Sequence, residues 1–310
     1  MNTPAVTPTP LRLNSTRGLQ LSLFAVMCLI WGLTWIAIRA GVEVLPPVFF
    51  AACRFLAAGP MLLAMAWFAG HRVLVPGCGW KVLYTAMLVN TICYGPLFWG
   101  MRYVPTGFSA VINLSLIPVA VFGIAVIAGQ DRFSWTRMAA VALGVVGLVV
   151  MFYGRAAIDP SPEALTGAIV IVIGTLSFCL GSVLTRPLAR EMPALVLAGW
   201  HCVLGGAGLA IVSLFLEAPT LDLFAAFARP SVLAGWAFLV FGGSIVAYTI
   251  FLRLLVAWGP TAASGYSFVS PAIAALVGAL VLGERYTAAE GIGALVMLSA
   301  TFLMLRTTGR

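Results

Sequence analysis

Asn90 and Tyr94 stand four residues apart, and 154 positions later Ser244 and Tyr248 repeat the spacing. Residues at i and i+4 share one face of a helix, so each pair presents an amide or hydroxyl beside a phenol. Trp31, Thr34 and Trp35 form a third such face, and 147 positions after the two tryptophans come Phe178 and Ser182. Asn113 is matched at a spacing of 153 by Tyr266, with Ser267 and Ser270 close behind. These groups suit non-covalent chemistry. Aromatic walls stack on flat or apolar bodies, while amides and hydroxyls orient a carboxylate, amine or hydroxyl. Bond-breaking chemistry has no comparable set. His71 and His201 are the only histidines, and hydrolysis or metal chemistry needs His, Asp or Glu in clusters. No metal site, cofactor or nucleotide-binding loop is expected.

The elements that must carry these faces are membrane spans. Hydrophobic residues make up 62% of the 310, far above the roughly 45–50% of soluble domains, and the mean hydropathy is +1.08. At about 20 apolar residues per crossing, the chain divides into ten spans, near 19–40, 46–69, 82–101, 107–128, 135–153, 164–185, 194–216, 232–254, 261–282 and 288–305. The expected class is therefore an all-α polytopic membrane protein whose partner is the lipid bilayer. Its net charge of +8 does not point to nucleic acid. With loops assigned to alternate sides, eleven basic residues face two acidic ones on the side of both termini, and six face seven on the other. Basic loops stay inside, so both termini are expected to be cytoplasmic. Residues 1–18 read as a polar, disordered cytoplasmic tail. The first apolar run is too long for a signal core and lacks a small-residue cleavage site. Five of the six cysteines fall within spans as small hydrophobes and Cys78 lies in a loop, so no disulfide framework is indicated.

The two halves repeat one another. "AGQDRFS" at 128–134 is echoed by "VLGERYT" at 281–287, and Pro118 by Pro271, both at a spacing of 153. "AACRFLAAG" at 51–59 lies over "AGWHCVLGG" at 198–206, which sets Arg54 against His201. Residues 19–155 and 156–310 thus form two five-span units. Five is odd, so the second unit enters the membrane upside down. Inverted repeats of this kind are a common transporter design, with the site near the midplane between the halves. Spans one, three, four, six, eight and nine then surround a central cavity.

Each feature also has a purely structural reading. A lone Ser or Asn in a membrane helix often bonds only to a neighbouring helix. Arg54 suits either outward snorkelling or interhelical bonding, or else the binding of a carboxylate. His201 suits a neutral, hydrogen-bonded side chain better than a proton carrier. Pro118 and Pro271 each free a carbonyl four residues earlier, giving either tolerated kinks or a matched pair of hinges. Glu284–Arg285 reads as a helix-end feature. In spans five and ten, Ala139, Ala140, Gly144, Gly147, Gly291, Gly293 and Ala294 suit close helix packing or a homodimer contact.

"WGLTWIAIRAG" at 31–41, "ACRFLAAG" at 52–59 and above all "SGYSFVSPAIAALVGALVLGERYTAAEGIGALVML" at 264–298 resemble the EamA family of the drug/metabolite transporter superfamily. The resemblance runs over at least 19–305. It implies ten helices in two inverted five-helix halves, cytoplasmic termini, and export of amino acids or other small metabolites from the bacterial inner membrane. Lipophilic-cation efflux is the alternative, although a cation calls for an acidic counter-charge and Glu43 sits only in a loop. A membrane-embedded enzyme is a more distant one. With no Asp or Glu at midplane depth, a carboxylate proton relay has no obvious members. Exchange driven by the substrate gradient is the expectation, with proton coupling through His201 as the lesser option.

Overall fold

The computed structural model describes residues 16–74, 77–104, 106–153, 161–220, 222–282 and 287–306. Every regular element among them is a helix, as a bilayer requires of a chain that must satisfy its backbone internally. We label the long helices α1 (Arg17–Val42), α2 (Pro47–Phe68), α3 (Gly79–Gly100), α4 (Thr106–Ile127), α5 (Trp135–Phe152), α6 (Pro162–Glu191), α7 (Ala194–Leu216), α8 (Pro230–Trp258), α9 (Tyr266–Leu282) and α10 (Ala288–Arg306). Among the described residues, nine of them are long and apolar enough to cross a membrane. Exposed Ile36, Ile127, Phe215, Leu216 and Phe302 point outwards to lipid. Trp67, Trp80, Trp135 and Tyr153, near helix ends and strongly exposed, suit the headgroup level.

Three expected spans differ in detail. Span nine is not one helix from 261, because a turn at Ser264–Gly265 separates the short helix Pro260–Ala263 from α9. Gly259, at φ 87°, turns the chain into that short helix, and Ser264 Oγ donates back to the Thr261 carbonyl at 2.7 Å. Spans three and eight each contain a π-helical stretch, Met87–Thr91 and Leu239–Ala247. These wider turns loosen the helical ladder, and neighbours take up carbonyls there. Ser177 Oγ donates to Leu88 O at 2.9 Å and Trp31 Nε1 to Gly243 O at 3.3 Å. By contrast, α4 and α9 run on through Pro118 and Pro271. Glu284–Arg285, Pro105 and most of the N-terminal tail lie outside the described residues.

The helix pairing is preserved when the halves are exchanged. α1 packs on α9 and α8, while α6 packs on α4 and α3; α2 packs on α7, and α5 on α10. Small residues bring the last two pairs close. A Cβ built at Gly59 would lie 2.6 Å from Val203 Cγ2, and one at Gly206 3.0 Å from the Leu56 nitrogen. Leu56 and Val203 are themselves 147 apart, like Gly59 and Gly206, so the contact is reciprocal. Between α5 and α10, a Cβ at Gly147 would meet Gly293 O at 2.9 Å, and one at Gly293 would meet Gly147 O at 2.6 Å. Ala139 and Gly291 face outwards instead.

Candidate functional site

At the centre, α1, α2, α3, α4, α6, α8 and α9 enclose a cavity. The π-helical stretches position its polar core, since Asn90 lies in one and Ser244 in the other. π-Turns inside α-helices often mark functional sites. α1 contributes Trp31, Thr34 and Trp35, while Asn113, Phe178, Tyr266 and Ser270 come from α4, α6 and α9. The aromatic groups pack both edge to face and stacked. Trp31 and Tyr266 have ring centroids 4.4 Å apart, and Tyr248 stacks towards Phe251 at 6.2 Å. Asn113 Nδ2 donates to Thr175 Oγ1 at 2.9 Å, and Ser270 Oγ to Cys28 O at 3.1 Å.

Arg54 enters this wall from α2. It is only 3% exposed, so the snorkelling reading fails: the guanidinium turns inwards, towards α8. Its Nε donates to Ser244 Oγ at 2.9 Å. The guanidinium carbon lies 4.8 Å from the Phe55 ring centroid and 5.5 Å from that of Tyr94. Gly243 gives it room, because a Cβ there would lie 2.8 Å from Nη2. The two ion pairs among the described residues, Arg39–Glu43 and Arg137–Asp131, do not involve Arg54.

Twelve of the fifteen side chains singled out in the sequence line the cavity; Ser182, His201 and Ser267 do not. Ser182 is buried further along α6, its hydroxyl without a partner among the described residues. His201 stands behind the wall, fully buried on α7. Its Nδ1 lies 2.6 Å from the Tyr248 hydroxyl and its Nε2 3.0 Å from Thr85 Oγ1, so it supports Tyr248. Asn90 Nδ2 donates to the His201 carbonyl at 2.6 Å. The sequence reading missed Ile38, Phe55, Val89, Cys93, Leu97, Leu114, Ile117 and Gly243, which also line the cavity. Apolar residues give no contrast in so apolar a chain. Only Gly243, in the Gly-Gly-Ser run before Tyr248, carried a signal of close approach.

The end of the molecule that holds Arg17 is tied together across the halves. Asp131, in the α4–α5 loop, accepts from the Thr261 backbone nitrogen at 3.1 Å and from the Thr261 hydroxyl. Arg137 Nη1 lies 3.5 Å from Asp131, and Arg186 Nη1 donates to Gln130 O at 2.8 Å. Gly259 is required here as well, since a Cβ would sit 3.0 Å from Asp131 Oδ1. At the opposite end Arg39, the repeat partner of Arg186, forms only an exposed pair with Glu43 at 2.7 Å. The cavity lining extends towards that second end, through Trp35, Ile38 and Leu97.

The whole chain has relatives. The model of the EamA-like transporter family matches residues 19–153 and 165–306. An uncharacterized inner membrane transporter, YedA of Escherichia coli (strain K12), is 29% identical, with 91% of this chain and 89% of YedA covered. Protein PecM of Dickeya dadantii is 26% identical, with 89% and 88% covered. One crystal structure matches with a TM-score of 0.79 at 18% identity, covering 94% of this chain and 98% of the other, and so shares the fold. The chain belongs to the EamA-like transporter family, and it is a polytopic helical membrane protein.

Proposed function

We propose that this EamA-family chain is a secondary transporter that exports small amphipathic metabolites, amino acids or their derivatives, by alternating access. One observation carries the reading. A single central cavity is lined by both halves, which are joined across it by the Arg54–Ser244 hydrogen bond, at the Arg17 end by the Asp131 network, and at the opposite end by Glu217, which accepts from the Val48 and Phe49 nitrogens at 3.0 and 2.8 Å. A site at the junction of two inverted units is the arrangement that lets one unit rock against the other around a fixed ligand. With both termini cytoplasmic in an inner membrane, the Arg17 end with its Asp131 network faces the cytoplasm, and the cavity lining extends towards the other side. Lipophilic cations are disfavoured as cargo, because the charged residue at the wall is itself a cation. Exchange down the substrate gradient is favoured over proton coupling, because both ring nitrogens of His201 are occupied behind the wall.

The test is uptake of a labelled panel of amino acids and other small carboxylates and amines into proteoliposomes. Saturable uptake of at least one member supports the proposal. No uptake of any member by correctly folded protein would count against it.

A further inference from the structure

The one charged residue lining the cavity among the described residues is Arg54. A guanidinium stays protonated under all ordinary conditions, so the site carries a fixed positive charge. Leaving such a charge without a counter-ion in a low-dielectric interior is strongly unfavourable. No carboxylate pairs with it among the described residues. Ser244 engages Nε, and the rings of Phe55 and Tyr94 flank the guanidinium. Hydroxyls and rings soften the charge without neutralising it. A ligand carboxylate would neutralise it, and a guanidinium fork matches carboxylate geometry.

From this we infer that the cavity selects monoanions: a single carboxylate on an aromatic or apolar body, with no free ammonium group. This rests on the transport reading above and narrows its cargo class to derivatives that lack the ammonium group, setting free amino acids aside. A monoanion brings the site to zero net charge. A zwitterion leaves it at plus one, with its ammonium group placed in a cavity that offers no carboxylate among the described lining residues. Ring faces at Trp31 and Tyr248 could receive an ammonium group, but such contacts are weak beside the penalty for desolvating an unpaired ammonium. The rest of the lining suits the ligand body: Trp31, Trp35, Phe178 and Tyr266 form its walls.

The test uses the full-length protein in lipid nanodiscs and three probes that share one body: 3-phenylpropanoate, phenylalanine and phenethylamine. Binding is read by equilibrium dialysis of labelled probe. Expected is at least tenfold tighter binding of 3-phenylpropanoate than of either other probe. In Arg54→Gln the preference should shrink to within twofold, and in Arg54→Lys a part of it should survive. Thermal unfolding of each variant shows whether it is folded, and the wild-type ranking decides the matter even if a variant is not. Equal or tighter binding of phenylalanine or phenethylamine would overturn the inference, as would an unchanged preference in folded Arg54→Gln or no binding of 3-phenylpropanoate. Uptake of other panel members alongside any of these failures would leave the transport reading standing, which separates the two.

Discussion

His201 Nδ1 lies 2.6 Å from the hydroxyl of Tyr248, so a residue outside the cavity holds one that lines it. Because Thr85 occupies the other ring nitrogen, His201 serves as a positioning residue. His201→Gln should therefore keep its flux under an imposed proton gradient and without one, with a raised KM. Tyr248→Phe should weaken binding roughly fivefold, in keeping with a net hydrogen bond of about 1 kcal/mol. Proton-driven accumulation by wild type that vanishes in His201→Gln would contradict this.

Asp131 should hold the Arg17 end closed. Replacing it with Asn keeps the size but removes the charge that Thr261 and Arg137 meet. Hydrogen bonds to charged groups contribute about 1.5–3 kcal/mol, so the open population should rise about tenfold or more. The check is labelling of a Ser264→Cys reporter, in a background without native cysteines, by an impermeant thiol reagent from the Arg17 side. Equal labelling rates with and without Asp131→Asn would refute the closure role.

Gly147 is a scaffold position. Its backbone lies against Gly293, and overpacking such a contact costs about 1–3 kcal/mol. Gly147→Leu should lower the unfolding temperature in detergent. Gly291→Ala, where nothing lies within 4 Å of the added carbon, should leave it unchanged. An equal drop from both substitutions would remove the distinction.

Topology gives an independent check. A reporter fused after Arg310 should be cytoplasmic, and one inserted within 155–163 should be periplasmic. Both on one side would exclude the inverted arrangement.

Much of this design was legible because the repeat writes its polar residues twice. Asn90 with Ser244 and Tyr94 with Tyr248 announced a shared site before any geometry was known, and the structure gathers all four at one cavity. The π-helical stretches that aim Asn90 and Ser244 were not legible, since a widened turn leaves hydropathy unchanged. The break at Ser264–Gly265 was hidden for the same reason, within a run apolar enough to read as one span. Arg54 was recognised as a residue of interest, but its direction depends on Gly243, nearly two hundred positions away. His201 reads in the sequence as a neutral, hydrogen-bonded side chain and is found hydrogen-bonded, but its place one layer behind the wall was not legible, because the repeat matches positions along a helix and not the depth of a side chain from the cavity.

The most direct measurement is solute counterflow in proteoliposomes preloaded with an unlabelled carboxylate found to be transported. Labelled substrate should accumulate transiently in wild-type vesicles and in His201→Gln. It should fail to do so in Trp35→Ala and Arg54→Gln vesicles whose protein remains folded. Full counterflow in those two cavity variants, or none in wild type, would contradict a transport path through the central cavity.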